Sequence, residues 1–281
     1  MMKLIADSGS TSTRWHLVTD STDGSTQCLT AGINPFFQNE SEIVDCLKNE
    51  FILDKSKITS IFFYGAGVAG ESQKNVLKSA LNQHFALEKI FVESDLMAAA
   101  QSLCGRNEGI AAILGTGSNS CYYNGKEIVQ HVSPLGYILG DEGSGAVLGK
   151  SLMADILKNQ FPQSLTKLFF DTYKTTKSEI LEHVYKKPFP NRYLAQFTRF
   201  MLDNCHEEEI KKLVTGSFVS FFKRNIQQYP QSHRLPVNFT GSVAWYFSAF
   251  LKDAAASTGF RVGKVTKNPM DGLLAYHMEE D

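Results

Sequence analysis

Cysteine is scarce and scattered in this chain. Cys28, Cys46, Cys104, Cys121 and Cys205 are spread over 281 residues with no CxxC pair. That fits reduced, cytoplasmic thiols better than a disulfide framework or a zinc site. Neither charge is in excess: 28 basic residues face 29 acidic ones, a formal net charge of −1, so no nucleic-acid-binding stripe is expected. Long apolar runs are also missing. Stretches such as residues 110–114 fall far below the roughly 20 residues of a membrane-spanning helix. The opening MMKLIADSGS meets Asp7 after only three apolar residues, too short a run for the core of a signal peptide. What is present, 43% apolar and 20% charged residues, predicts a cytoplasmic protein with core enough for about two domains.

Two stretches share one plan. Residues 3–7 read as a strand, 8–13 as a small hydroxylic turn and 14–18 as a returning strand. Residues 110–114, 115–120 and 121–123 repeat strand, small turn and strand, and Asn124-Gly125 predicts a type I′ turn into a strand over 127–132. This recurrence suggests two related domains. Between the two stretches, strands at 61–64 and 89–93 alternate with helices at 72–85 and 95–103, the pattern of an α/β fold with parallel pairing. Beyond them the apolar spacing predicts helices over 145–159, within 164–185, over 192–203 and over 207–228. A strand at 236–240, a helix at 243–256, a short strand near 260–265 and a helix after Pro269 complete the chain. The boundary falls near Gly105 to Glu108, giving domains 1–106 and 107–281.

The small-residue turns are the candidates for chemistry. Asp7-Ser8-Gly9-Ser10-Thr11-Ser12-Thr13 sets a carboxylate at a strand end before exposed amides and hydroxyls. Such a turn is either a plain surface hairpin or a concavity for phosphate oxygens, with the aspartate holding magnesium through water. Gly115-Thr116-Gly117-Ser118-Asn119 has the same character. Asp141-Glu142-Gly143-Ser144-Gly145 opens a helix, where Asp141 or Ser144 is an N-cap or the helix start attracts an anion. Gly241-Ser242 stands between a strand and a helix, as a connection or a ligand turn. Residues 144–151, SGAVLGKS, approach the P-loop pattern, but serine replaces its first glycine and no apolar strand precedes it. They read as a helix's packing face.

In their order along the chain, these pieces resemble the superfamily of acetate and sugar kinases, heat-shock chaperones and actin. The runs ILGTGSNS and GYILGDEGSG are most similar to its branch of N-acetylglucosamine kinases and BadF/BadG/BcrA/BcrD-type ATPases. The resemblance implies two duplicated ribonuclease-H-like domains (the actin-like ATPase fold) with a nucleotide in the cleft between them. It implies that Asp95 is the catalytic base, that Asn34 in Gly32-Ile33-Asn34-Pro35 contacts sugar, and that Thr116, Asn119 and Asp141 hold sugar hydroxyls and the acetamido group. Ser10, Thr11, Ser12 and Thr13 match the first phosphate motif, and Gly115, Thr116 and Gly117 the second. Thr240-Gly241-Ser242 matches the adenosine motif, and Asp7 the position of magnesium. Ser8 and Ser10 stand where related chains often carry glycine, and Thr240 where a second glycine is usual.

The implied activity is ATP- and Mg2+-dependent phosphorylation of an amino sugar, N-acetylglucosamine first, to its 6-phosphate. Alternatives are a kinase of another hexose, a sensor that binds without turnover, and an activase-type ATPase with an iron–sulfur cluster held by thiolates. Against the last, Cys104 and Cys121 flank the second hairpin in no context that presents a thiol at a dimer axis, and Cys104 reads as helix packing. From its residues alone, Asp95 also reads as the N-cap of the helix it begins. Apolar runs such as 218–222 serve either a core or a homodimer face.

Overall fold

The computed structural model describes residues 2–9, 11–18, 26–68 and 70–278. They form two compact units, one of residues 1–105 with 269–281, the other of residues 106–268. The first contains β1 (Met2–Ser8), β2 (Ser12–Val18), β3 (Thr26–Ala31), α1 (Glu40–Glu50), β4 (Ile58–Gly65), α2 (Glu71–Phe85), β5 (Ile90–Ser94) and α3 (Asp95–Cys104). Its sheet runs β3-β2-β1-β4-β5. β1, β2 and β3 pair antiparallel, whereas β1, β4 and β5 pair parallel.

β1 is apolar throughout its middle because both of its faces are covered. Leu4 and Ala6 enter the core built around Trp15, Phe63 and Leu77, while Ile5 faces a smaller cluster with Tyr64, Ala98, Met270 and Leu273. The C-terminal helix (Met270–Met278) supplies the last two residues of that cluster. The chain's end therefore belongs to the first unit and departs from the expected second domain of 107–281. Burial of Met270 and Leu273 against β1, β4 and α3 fixes it there.

The second unit contains β6 (Glu108–Leu114), β7 (Ser118–Asn124), β8 (Ile128–Val132), a single turn α4 (Gly136–Leu139) and α5 (Gly145–Leu157). A run of helices follows: α6 (Gln163–Tyr173), α7 (Lys177–Tyr185), α8 (Pro190–Ala195), α9 (Thr198–Asp203) and α10 (Glu208–Arg224). It ends with β9 (Val237–Thr240), α11 (Ser242–Tyr246), α12 (Ser248–Ser257) and β10 (Val262–Thr266). The sheet order β8-β7-β6-β9-β10 repeats that of the first unit, including three antiparallel strands followed by parallel pairing of β6, β9 and β10. The two small-residue turns occupy equivalent places, between β1 and β2 and between β6 and β7.

The helix expected over 192–203 is two short helices, and that over 243–256 breaks at Phe247. No described helix is long and apolar enough to cross a membrane.

Candidate active site

In parallel sheets, ligand-handling residues gather at the carboxyl ends of strands. The first unit follows that rule. Asp7 is the last residue but one of β1, Gly65 ends β4 with Ala66 and Gly67 after it, and Asp95 follows β5. Asp7 lies on the Ile5 face of β1, beside Tyr64 of β4, and is partly buried. Burial, and next the charge of Asp95, raise the Asp7 carboxyl from 3.8 to about 6, opposed by Arg14. Asp95 is the first residue of α3. The cap itself is Ser94, whose Oγ accepts from Met97 N–H at 3.2 Å, so the expected capping role falls one residue earlier. Burial raises the Asp95 carboxyl, against the lowering effect of the first-turn N–H groups of Leu96 and Asp95. Two carboxylates thus share one strand-end region, with the Arg14 guanidinium as a nearby cation.

The first turn divides by the strand pleat. Thr11 is exposed and Ser12 half-buried, and Gly9 N–H donates to Ser12 O at 3.1 Å, closing the turn. Ser10 lies outside the described residues. Thr13 is a correction. It is fully buried, its hydroxyl is 2.7 Å from Ser8 Oγ and donates to Ala31 O at 3.1 Å, and it accepts from Ile33 N–H at 3.2 Å. Ser8 and Thr13 are register partners that point with Leu4 and Ala6 into the interior, so Thr13 braces the turn and faces no phosphate. Ser8, where glycine was the usual expectation, also donates to Ile33 O at 2.8 Å and accepts from Ile33 N–H at 3.0 Å.

That bracing positions Asn34, the next residue. Its N–H donates to Gln38 Oε1 at 2.7 Å, and its Oδ1 accepts from Phe36 N–H at 2.9 Å. Phe36 and Phe37 are exposed and meet edge to face at 5.1 Å.

In the second unit the 115–117 turn is tied to α5. Gly115 O and Thr116 O accept from Gly145 N–H at 2.8 Å and Ala146 N–H at 3.0 Å, and Ser144 Oγ caps Val147 N–H at 3.2 Å. The start of α5 is therefore filled by the protein itself, which overturns its expected attraction for an anion. Asp141 is not the cap. It sits at φ 55° with its Oδ1 accepting from Ser118 N–H at 3.2 Å, and burial raises its carboxyl. A side chain on Gly117 would meet that carboxylate at 3.3 Å, so Gly115, Thr116, Gly117 and Asp141 form one cluster. Asn119 Oδ1 lies 2.8 Å from His131 Nε2 and accepts from Ser120 N–H at 3.0 Å; His131 is a holding group the sequence did not single out. Gly241 has φ 118°, and any Cβ there would come within 2.3 Å of Leu114 O. Its glycine is thus demanded by the close approach of the turn between β9 and α11 to the end of β6, while Ser242 beside it is exposed. The P-loop look-alike is the helix α5, with Lys150 Nζ donating to Tyr137 O at 2.6 Å.

Among the described residues, no group of three or more His, Cys, Asp or Glu side chains is placed to hold a metal. Cys121 is buried in the sheet and Cys104 partly buried at the end of α3.

No protein-family model matches the chain, and no curated protein does. Solved structures do. A candidate N-acetylglucosamine kinase from Porphyromonas gingivalis is 42% identical, with 99% of each chain covered and a TM-score of 0.95. A second candidate N-acetylglucosamine kinase, from Chromobacterium violaceum, is 17% identical over 98% of each chain at a TM-score of 0.76. A ROK family glucokinase from Streptomyces griseus, in complex with glucose and AMPPNP, is 13% identical over 98% of each chain at 0.55. The fold is the actin-like ATPase fold of two-domain sugar kinases. Within that class, the chain belongs to the sugar-kinase family of the Porphyromonas protein.

Proposed function

We propose that this chain is an ATP-dependent amino-sugar kinase of the BadF/BadG/BcrA/BcrD-type branch, converting N-acetylglucosamine to its 6-phosphate. The observation that carries the reading is the 42% identity over 99% of both chains to the candidate N-acetylglucosamine kinase. The chemistry of the strand ends supports it.

In this reading Asp95 is the general base. The acceptor hydroxyl gives its proton to the Asp95 carboxylate as its oxygen bonds to the γ-phosphorus and the bond to the β-bridging oxygen breaks, releasing ADP. A carboxyl raised by burial is a stronger base than an exposed one, and Ser94 frees it from capping. Thr11 and Ser12 of the first unit, and Gly115, Thr116, Gly117, Gly241 and Ser242 of the second, are assigned to the nucleotide. Asn34, Asn119, Thr116 and Asp141 are assigned to the sugar. Asp7 fits a magnesium role: burial first and then the charge of Asp95 disfavour its carboxylate, and a dication would offset both. Bound magnesium would neutralise charge on the phosphates; Asp7 would hold it through water.

Magnesium-dependent ADP release measured with N-acetylglucosamine, N-acetylmannosamine, glucosamine, glucose and no sugar tests the proposal. Stimulation by N-acetylglucosamine above the other sugars is expected. Sugar-independent hydrolysis, or preference for a different acceptor, overturns it. Asp95→Asn is expected to lower turnover by roughly 10²–10⁴-fold with nucleotide affinity retained, read by calorimetry; near-normal turnover removes Asp95 as the base.

A further inference from the structure

Gly67, in the segment after β4, has φ 79° and lies directly against the side chain of Asn34. A Cβ built on it would stand 2.0 Å from Asn34 Oδ1, 2.7 Å from its Cγ and 3.0 Å from its Nδ2. The whole carboxamide therefore rests on the bare Cα of Gly67. The opposite side of Asn34 is fixed as well. Its N–H is held by Gln38 Oε1, its carbonyl oxygen receives Phe37 N–H at 3.0 Å and Gln38 N–H at 3.1 Å, and its Oδ1 receives Phe36 N–H. Ile33, immediately before it, is clamped by Ser8 and Thr13. Oδ1 is thereby committed to the local turn, and the amide nitrogen Nδ2 is the part of the side chain left to offer hydrogen bonds outward.

From this we infer that Gly67 is a positioning residue for sugar recognition: its missing side chain creates the seat that orients Asn34 as a hydrogen-bond donor toward a hydroxyl oxygen of the acceptor. The inference rests on the proposed kinase reading, in which Asn34 touches the sugar. A substituent on Gly67 must push the carboxamide aside, break its bond from Phe36 N–H and turn Nδ2 away. Acceptor affinity should then suffer, while the phosphoryl-transfer groups Asp7 and Asp95 stay in place.

The test is a double-mutant cycle on the full chain with Gly67→Ala, Asn34→Ala and the pair together. Acceptor KM, nucleotide KM, kcat and melting temperature are measured for each, with sugar affinity by calorimetry. The expected result is that Gly67→Ala raises acceptor KM and Kd about tenfold, with kcat and nucleotide KM within about twofold. In the Asn34→Ala background it should add less than about twofold, because the group it displaces is gone. An unchanged acceptor KM, or a full additive effect in the Asn34→Ala background, overturns the inference. Should Gly67→Ala not fold, folding of the double variant supports the seat, since removing the carboxamide removes the clash. Failure of both shows that Gly67 serves its own backbone turn, and the inference falls. Wild-type protein that neither binds nor phosphorylates any sugar defeats the kinase reading itself, a result separate from each of these.

Discussion

At the scale of single residues, the first unit holds carboxylates where the fold alone would not choose them. Asp7 ionises near 6 in the folded chain against 3.8 as the ordinary value, through burial and the neighbouring Asp95. Between those two values the folded protein retains a proton that the unfolded chain has lost, so stability falls as pH rises through the window and stays lowered above about 6. Asp7→Asn removes that penalty. In metal-free buffer the variant should melt above wild type at about pH 7.5, with the difference shrinking as pH falls from about 6 to 4. A difference equal at both ends would show that ionisation is not its source. The same variant should lose magnesium-dependent turnover, the stability–activity opposition expected where charge is held for chemistry. The position of Asp7 was legible from the sequence as a carboxylate at a strand end before a small-residue turn; Asp95 and Asn34 are singled out by the family resemblance, and the roles of all three belong to the proposed function. Thr13 was misread because the hydroxylic run looks uniform, whereas the pleat sends Ser8 and Thr13 inward and Asp7 to the other face. His131 and Gly67 stayed hidden because their roles rest on contacts across 12 and 33 positions of chain.

At the scale of elements, what was legible followed the strength of the apolar pattern. The strands β1, β4 and β6 and the helices α2, α3 and α5 carry buried residues at regular spacing, and their positions were predicted within a few residues. β3 was missed because only Cys28 and Thr30 of its six residues are buried, the signature of a polar edge strand. α1 was missed although Asn39 and Glu42 form a capping box ahead of Ile43, Val44 and Leu47. The breaks between α8 and α9, and at Phe247, fall where apolar residues continue and no glycine or proline marks a stop, so the sequence pattern runs through them. α5 shows how a motif look-alike arises from packing. A Cβ at Gly149 would lie 1.9 Å from Leu194 O of α8, so the glycine of its GKS sequence lets two helices approach. Gly149→Ala should therefore destabilise the protein by about 1–3 kcal/mol. Gly216→Ala, inside α10 with nothing within 4 Å of the new methyl, should be neutral or stabilise by up to about 1 kcal/mol. Denaturant midpoints of the two variants decide the matter: equal values would remove close helix approach as the reason for Gly149.

At the scale of the whole molecule, the chain writes one sheet plan twice, 3-2-1-4-5 in each unit, as the paired strand-turn-strand stretches suggested. Sequence pattern announced the duplication because both hairpins need small residues at the same place. It could not announce where the last helix goes, since an apolar helix after Pro269 would fit either sheet. The structure joins it to the first unit with polar as well as apolar contacts. Tyr64 OH donates to Gln101 Oε1 at 2.6 Å and lies 2.8 Å from His277 Nε2. With that hydroxyl proton given to Gln101, His277 is the donor to Tyr64, carrying its proton on Nε2. Lys3 Nζ donates to His277 O at 2.8 Å, so β1, β4 and α3 are all fastened by the last turn of the helix Met270–Met278. α3 carries Asp95, which makes this helix a support for the proposed base. Removing residues 269–281 should uncover Ile5, Tyr64 and Ala98 and break this network. Amide hydrogen exchange is then expected to accelerate by roughly 10²-fold in β1, β4 and α3, while β6 and β9, whose core is built within residues 106–268, keep their protection. Equal acceleration in both sheets, or none in the first, would mean that the helix is not the element that completes the first unit.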